Sequence, residues 1–145
     1  MVKVLTVKQP WASLIAYNYK HYEFRSWKTN YRGYVYIHAG LTLEKGYQNL
    51  INKLDLNIIK GSIIAKAKIV DCILVDKTKN EKLYKENKLV YGHDHVGLYA
   101  WVLDDITLLK DPIEVKGKLG LWNYDIMCEV KQDEWEYRNF RLWRR

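Results

Sequence analysis

Ser62-Ile63-Ile64-Ala65-Lys66-Ala67-Lys68-Ile69-Val70-Asp71-Cys72-Ile73-Leu74-Val75, residues 62–75, is the longest β pattern in the chain. Ile63, Ala65, Ala67 and Ile69 alternate with Ile64, Lys66, Lys68 and Val70, the two-residue period of a strand. A strand of this length has to bend, and closure of a sheet into a barrel is the usual reason. Asp71 falls on the parity of Ile69, an awkward place for a carboxylate. A local bulge, or a hydrogen bond to nearby backbone, would resolve it.

Towards the N-terminus, residues 33–39 alternate cleanly, with Val35, Ile37 and Ala39 on one face and Tyr34, Tyr36 and His38 on the other. Between these two strands, Thr42 is placed to cap a helix carrying Leu43, Tyr47, Leu50, Ile51 and Leu54 at helical spacing, with Gly61 beyond its end. Residues 3–8 read as a short strand. Gln9-Pro10 then opens a short helix with Trp11, Leu14 and Ile15 on its apolar face, since Pro fits a first turn. Asn18 sits where a left-handed closing residue is needed. Residues 22–27 read as a strand and residues 30–33 as a turn.

Towards the C-terminus, residues 76–89 are rich in Lys, Asn and Glu and read as an exposed loop or a frayed helix. Strands return at 97–103 and 113–115, and Trp122 follows the Gly-rich KGKLG. Residues 129–145 read as an amphipathic or strand-like tail ending in Arg138, Arg141, Arg144 and Arg145. No repeat and no linker divides the chain. The expectation is one α+β domain over 1–145, with a barrel core at about 3–124, flanking helices and a basic tail at about 129–145.

At 145 residues and 48% hydrophobic, the chain is long and apolar enough for one core but not for two. Twelve Tyr and six Trp against two Phe favour rings with a polar handle, which suit binding surfaces as well as cores. Two cysteines, Cys72 and Cys128, cannot build a disulfide framework or a zinc cluster alone, and both are expected to be reduced. No stretch approaches the roughly 20 apolar residues of a membrane span, and the start lacks the apolar run of a signal peptide. The expected location is the cytoplasm, or the nucleus in a eukaryotic host, with no membrane partner. GxSxG, P-loop and dinucleotide fingerprints are absent, and no cofactor is expected.

The net charge of +7 is unevenly placed. Residues 1–40 hold six basic residues against one acid, Glu23, whereas residues 71–115 hold six basic and nine acidic residues. Such segregation points to a polyanionic partner more strongly than the overall charge does. Lys8, Trp11, Lys20, Arg25, Trp27, Lys28, Tyr31 and Arg32 interleave cations with rings. Cations meet phosphates and rings stack on unpaired bases, so the mixture suits single-stranded or looped RNA better than duplex. His38 is a candidate cleft donor, or a partly exposed strand histidine. His93-Asp94-His95 places two histidines at i, i+2, but with no third ligand in view a solvated turn is the better reading and no metal site is expected.

Within the run Asn18 to Arg25, NYKHYEFR, parity puts Glu23 and Arg25 on one strand face, with Lys20 just before them. The trio is compatible with a general base, an electrostatic clamp or a structural ion pair. The run resembles the ASCH signature G-x-K-x-x-E-x-R, with Asn18 in place of the usual Gly. VKQPWASLI before it, RSW after it, then YRGYVYIHAG and KGKLGLWNY, resemble the subgroup at the C-terminal end of the activating-signal-cointegrator coactivators. The similarity is close over about 3–40 and looser over 61–124. It implies a PUA-like β-barrel with a cleft beside the early helix and an RNA or nucleotide-like ligand. Lys20, Glu23 and Arg25 would line that cleft, with Trp11 and Trp27 near its rim. Some short bacterial members are amidohydrolases that deacetylate N4-acetylcytidine, and they carry Thr where this chain has Glu23. On that alternative Lys20 is base or nucleophile and Glu23 shuttles a proton.

Overall fold

The computed structural model describes residues 1–125. The tail expected at 129–145, and Cys128, lie outside the described residues. In chain order the elements are β1 (Val2–Gln9), α1 (Trp11–Ala16), β2 (Tyr22–Arg25), β3 (Gly33–Leu43), α2 (Gln48–Leu54), β4 (Ser62–Leu74), α3 (Lys77–Glu86), α4 (Lys88–Tyr91), β5 (Tyr99–Glu114) and β6 (Leu121–Tyr124). The strands form one mixed sheet in the order β2-β5-β4-β3-β1-β6. β1 and β3 run parallel, and the other neighbours are antiparallel. The α+β class is therefore as expected.

The expected barrel is not closed among the described residues, because β2 and β6 stand at opposite ends of the sheet. The length of β4 is accommodated by three register shifts against β5, at Ile63/Ala65, Lys66/Lys68 and Ile69/Asp71. Each shift bends the strand locally. The first also breaks the alternation seen in the sequence: Ile64 joins Ala65, Ala67 and Ile69 in the main core, and Ile63 packs on the other side with Val4, Tyr36 and Trp122. The third resolves Asp71, whose side chain accepts the Cys72 N–H at 2.8 Å.

The main core lies between α1 and one sheet face, with Leu5 and Val7 of β1, Val35, Ile37 and Ala39 of β3, and Trp101 of β5. These are the positions that strict alternation buries. Thr42 does not cap a helix. β3 continues to Leu43, which pairs with Gln9, and the Glu44 N–H donates to the Gln9 carbonyl at 2.7 Å, so α2 begins only at Gln48. Residues 76–89 hold two capped helices. Asp76 accepts the Lys79 N–H at 2.8 Å and Asn87 accepts the Val90 N–H at 3.2 Å, satisfying first-turn donors that have no partner within the helix. Only Leu83 is buried in α3, too sparse a pattern to announce a helix. The strands expected at 97–103 and 113–115 are parts of β5.

Candidate functional site

The site begins where α1 stops. Asn18 adopts φ 68°, the left-handed conformation expected of it. That turn lets the Tyr19 and Lys20 N–H groups fold back onto the Leu14 carbonyl at 2.8 and 3.0 Å. Lys20 is thereby carried inward and is only 3% exposed. Its ammonium donates to Glu23 Oε1 at 3.1 Å and to the Tyr22 carbonyl. Glu23 Oε2 accepts from Arg25 Nη2 at 3.0 Å, and the same Nη2 reaches across to the Thr6 carbonyl on β1. Glu23 and Arg25 share a face of β2, as parity requires.

The result is a cation–carboxylate–cation chain, buried at Lys20 and Glu23 and half-buried at Arg25. Burial pushes the Lys20 pKa below the ordinary lysine value; Glu23 opposes that shift and Arg25 adds to it. The ammonium also lies over the rings of Phe24 at 5.0 Å and Trp11 at 5.7 Å, which offsets part of the lost hydration.

These residues form one wall of a cleft of about 560 Å³. Trp11 meets Tyr47 edge-on at 4.6 Å between ring centroids. On the β2 side, His95 stacks on Phe24 at 3.8 Å with 22° between the planes. Burial first, and Lys20 second, push the His95 pKa down to about 4. Two buried side-chain polar atoms among the described residues have no hydrogen-bond partner, Arg25 Nε and His95 Nδ1, and both residues line this cleft.

Of the residues singled out in the sequence, Lys8, Trp11, Lys20, Glu23 and Arg25 come together around the cleft. Trp11 also packs against the cores on either side of α1, so it is at once a wall and an anchor. Trp27 lies outside the lining. It packs edge-on against Trp101 at 4.6 Å, beside Gly120 at the cleft edge. Arg32 is elsewhere on the surface, paired with Asp71 at 3.7 Å.

His38 is not a cleft donor. It is 1% exposed, and its Nε2–H donates to the Val115 carbonyl at 2.7 Å. Its Nδ1 lies 3.4 Å from Thr6 Oγ1, which also takes the Trp122 indole N–H at 3.0 Å. The reading of His93-Asp94-His95 as a solvated turn holds for His93 and Asp94, which are exposed, but His95 is half-buried, and both histidines line the cleft. The local sequence carries no signal for this, because α3 and α4 swing the loop into place. No group of three or more His, Cys, Asp or Glu is placed to hold a metal among the described residues.

No curated protein matches the chain. Among solved structures, ASCH from Zymomonas mobilis superimposes with a TM-score of 0.55 at 15% identity, covering 92% of this chain and 93% of that one. A serine-to-alanine mutant of the protein from the same organism gives 0.53 at 14%, covering 90% and 93%. At such identities the likeness speaks for the fold. The family model of the ASCH domain matches residues 5–139, which takes in the second half of β1, the turn at Asn18 and the whole Lys20–Glu23–Arg25 chain. Fold and sequence agree, and the chain belongs to the ASCH domain family.

Proposed function

We propose that the cleft binds RNA or a modified nucleotide, with cations meeting the backbone and the Trp11 wall receiving a base. The observation that carries this reading is Arg25. Its guanidinium is fixed by Glu23 and Thr6, yet its Nε–H is buried without an acceptor in a cleft of nucleotide size. A ligand oxygen or ring nitrogen would satisfy it. Lys8, exposed at the rim, extends the positive path outward. The partner class proposed is RNA, in the cytoplasm or, in a eukaryotic host, the nucleus. The text around the motif, QPWASL, RGYVYIHA and KGKLGLW, supports a place beside the coactivator-terminal subgroup. Fluorescence anisotropy with single-stranded and duplex RNA tests the proposal. Single strands should bind more tightly, with a log–log salt slope of roughly −2 to −4. Absence of binding at micromolar protein would refute it.

One observation favours a second reading, hydrolysis of an acylated nucleoside. Burial lowers the Lys20 pKa and so favours the neutral amine that a base or nucleophile requires. Incubation with N4-acetylcytidine is the direct assay. On this reading cytidine is released and release is lost in Lys20→Ala.

A further inference from the structure

The loop after α4 carries His95 to the cleft and holds it there. The His95 backbone N–H donates to Asn80 Oδ1 at 3.0 Å, and the Gly97 N–H donates to the Val75 carbonyl at 2.9 Å. The imidazole lies flat on Phe24, which fixes its plane. The ring meets the His93 backbone, yet its buried Nδ1 makes no hydrogen bond of good geometry. Arg25 Nε is in the same condition. Unpaired buried polar groups are costly, and two along one cleft mark where a ligand's atoms belong.

The chemistry of the pair narrows the ligand. Arg25 Nε can only donate, so the atom it meets is an acceptor. Lys20 and Arg25 against the single carboxylate of Glu23 leave this wall positive, which favours an acceptor with negative charge. The groups set beside His95 are Lys20 from the turn after α1, His93 and Asp94 from its own loop, and the uncharged Asn80 from α3, while Glu23 and Arg25 of β2 line the same cleft. We infer that Arg25 and His95 are two oxyanion contacts of the cleft, which meet the phosphodiester backbone of the ligand through Arg25 Nε–H and His95 Nδ1–H, with proton uptake at His95 on binding. The inference rests on the RNA reading above for the source of its oxyanion.

The sign of the linkage follows from the empty site. There His95 stays neutral down to about pH 4, held so by burial and by Lys20. An anion accepting from Nδ1–H favours the imidazolium and raises that pKa towards or beyond the ordinary histidine value. Affinity therefore rises as pH falls from neutral towards 5.

Oligouridylate is the probe, because neither its phosphodiesters nor its bases titrate in that range. Wild-type protein should bind it about tenfold more tightly at pH 5.5 than at pH 7.5. Calorimetry in buffers of different ionisation enthalpy should give uptake approaching one proton per complex. His95→Phe keeps the flat packing on Phe24 and removes both nitrogens. It should lose the pH response and the proton uptake, and His95→Gln serves if the Phe variant does not fold. His21, His38 and His93 are common to all three proteins, so their contribution cancels. A variant that keeps the full response overturns the inference and leaves the RNA reading standing. A parallel titration with inorganic sulfate separates the two claims. If oligouridylate fails to bind but sulfate binds with the His95-dependent response, the oxyanion contacts stand and the RNA reading falls. If neither binds, both fall.

Discussion

Glu23 is the one acid among residues 1–40, and both of its oxygens are committed, one to Lys20 and one to Arg25. On a surface that merely attracts phosphate it would be counterproductive. Here it orients two cations and offsets the cost of burying Lys20. Glu23→Gln keeps the shape and removes the charge, and it should weaken oxyanion binding despite raising the net charge. Arg25→Ala should then cost less in the Glu23→Gln background than in the wild type, with a coupling above about 0.5 kcal/mol in binding titrations of the double-mutant cycle.

His95 makes a separate prediction about stability. Its folded pKa is lowered to about 4, whereas the ordinary value is 6.5. Between those values the unfolded chain takes up a proton that the folded protein refuses. Stability is therefore lost as pH falls from about 6.5 to 4, with no further loss from this group below that. Denaturant titrations should show a shallower decline over that window in His95→Phe.

At this scale the sequence was half legible. Strand parity placed Glu23 with Arg25, because the rule needs only neighbours along the chain. It grouped His38 with Tyr34 and Tyr36 correctly but could not reveal that the segment after β5 covers that histidine.

That covering segment belongs to the scale of elements. A Cβ on Gly117 would lie 2.6 Å from His38 Cε1, 2.8 Å from its Nδ1 and 3.2 Å from Thr6 Oγ1. His38 is hydrogen-bonded on the far side to Val115, so the ring cannot simply step away. Because Nε2 donates, Nδ1 is the acceptor; the Thr6 hydroxyl can donate to it, and Trp122 in turn donates to Thr6. This chain ties β1, β3 and β6 to the segment whose Leu119 and Gly120 edge the cleft. Gly117→Ala should destabilise the protein by roughly 1–3 kcal/mol. In thermal or chemical melts that loss should shrink in a His38→Ala background, where the methyl has room.

The sequence foretold the elements with strong periods, β1, β3, β4 and α1. It left α3 and α4 open between a loop and a frayed helix, because their helical character is declared by Asp76 and Asn87 at their starts and hardly by their apolar content. It also divided β5 in two, since the Asp-rich middle of that strand hides its continuity.

At the scale of the whole molecule, charge and topology coincide. The basic N-terminal quarter supplies β1, α1 and β2, and these bring Lys8, Lys20 and Arg25 to one cleft. The more acidic middle supplies α3, α4 and β5, and with them the His93–His95 loop that packs on Phe24 of β2. The first half of this arrangement was readable from residue counts alone. The second was not, because it depends on where the chain returns after β4.

The charged residues ride on a strand at the end of the described sheet. There β2 has one backbone neighbour, β5. Three side-chain ties hold it as well: the Tyr91 hydroxyl accepts the His21 N–H at 2.8 Å, the Trp101 indole donates to the Trp27 carbonyl at 3.2 Å, and Arg25 donates to the Thr6 carbonyl of β1. With one ladder against the two of β4, its amides should exchange with deuterium well before those of β4. Tyr91→Phe opens one tie and should hasten exchange over Tyr22–Arg25 while leaving β4 unchanged. A ligand that meets Arg25 in the cleft would add its own contacts to this strand, and bound RNA should then slow exchange over Tyr22–Arg25 as the ties do.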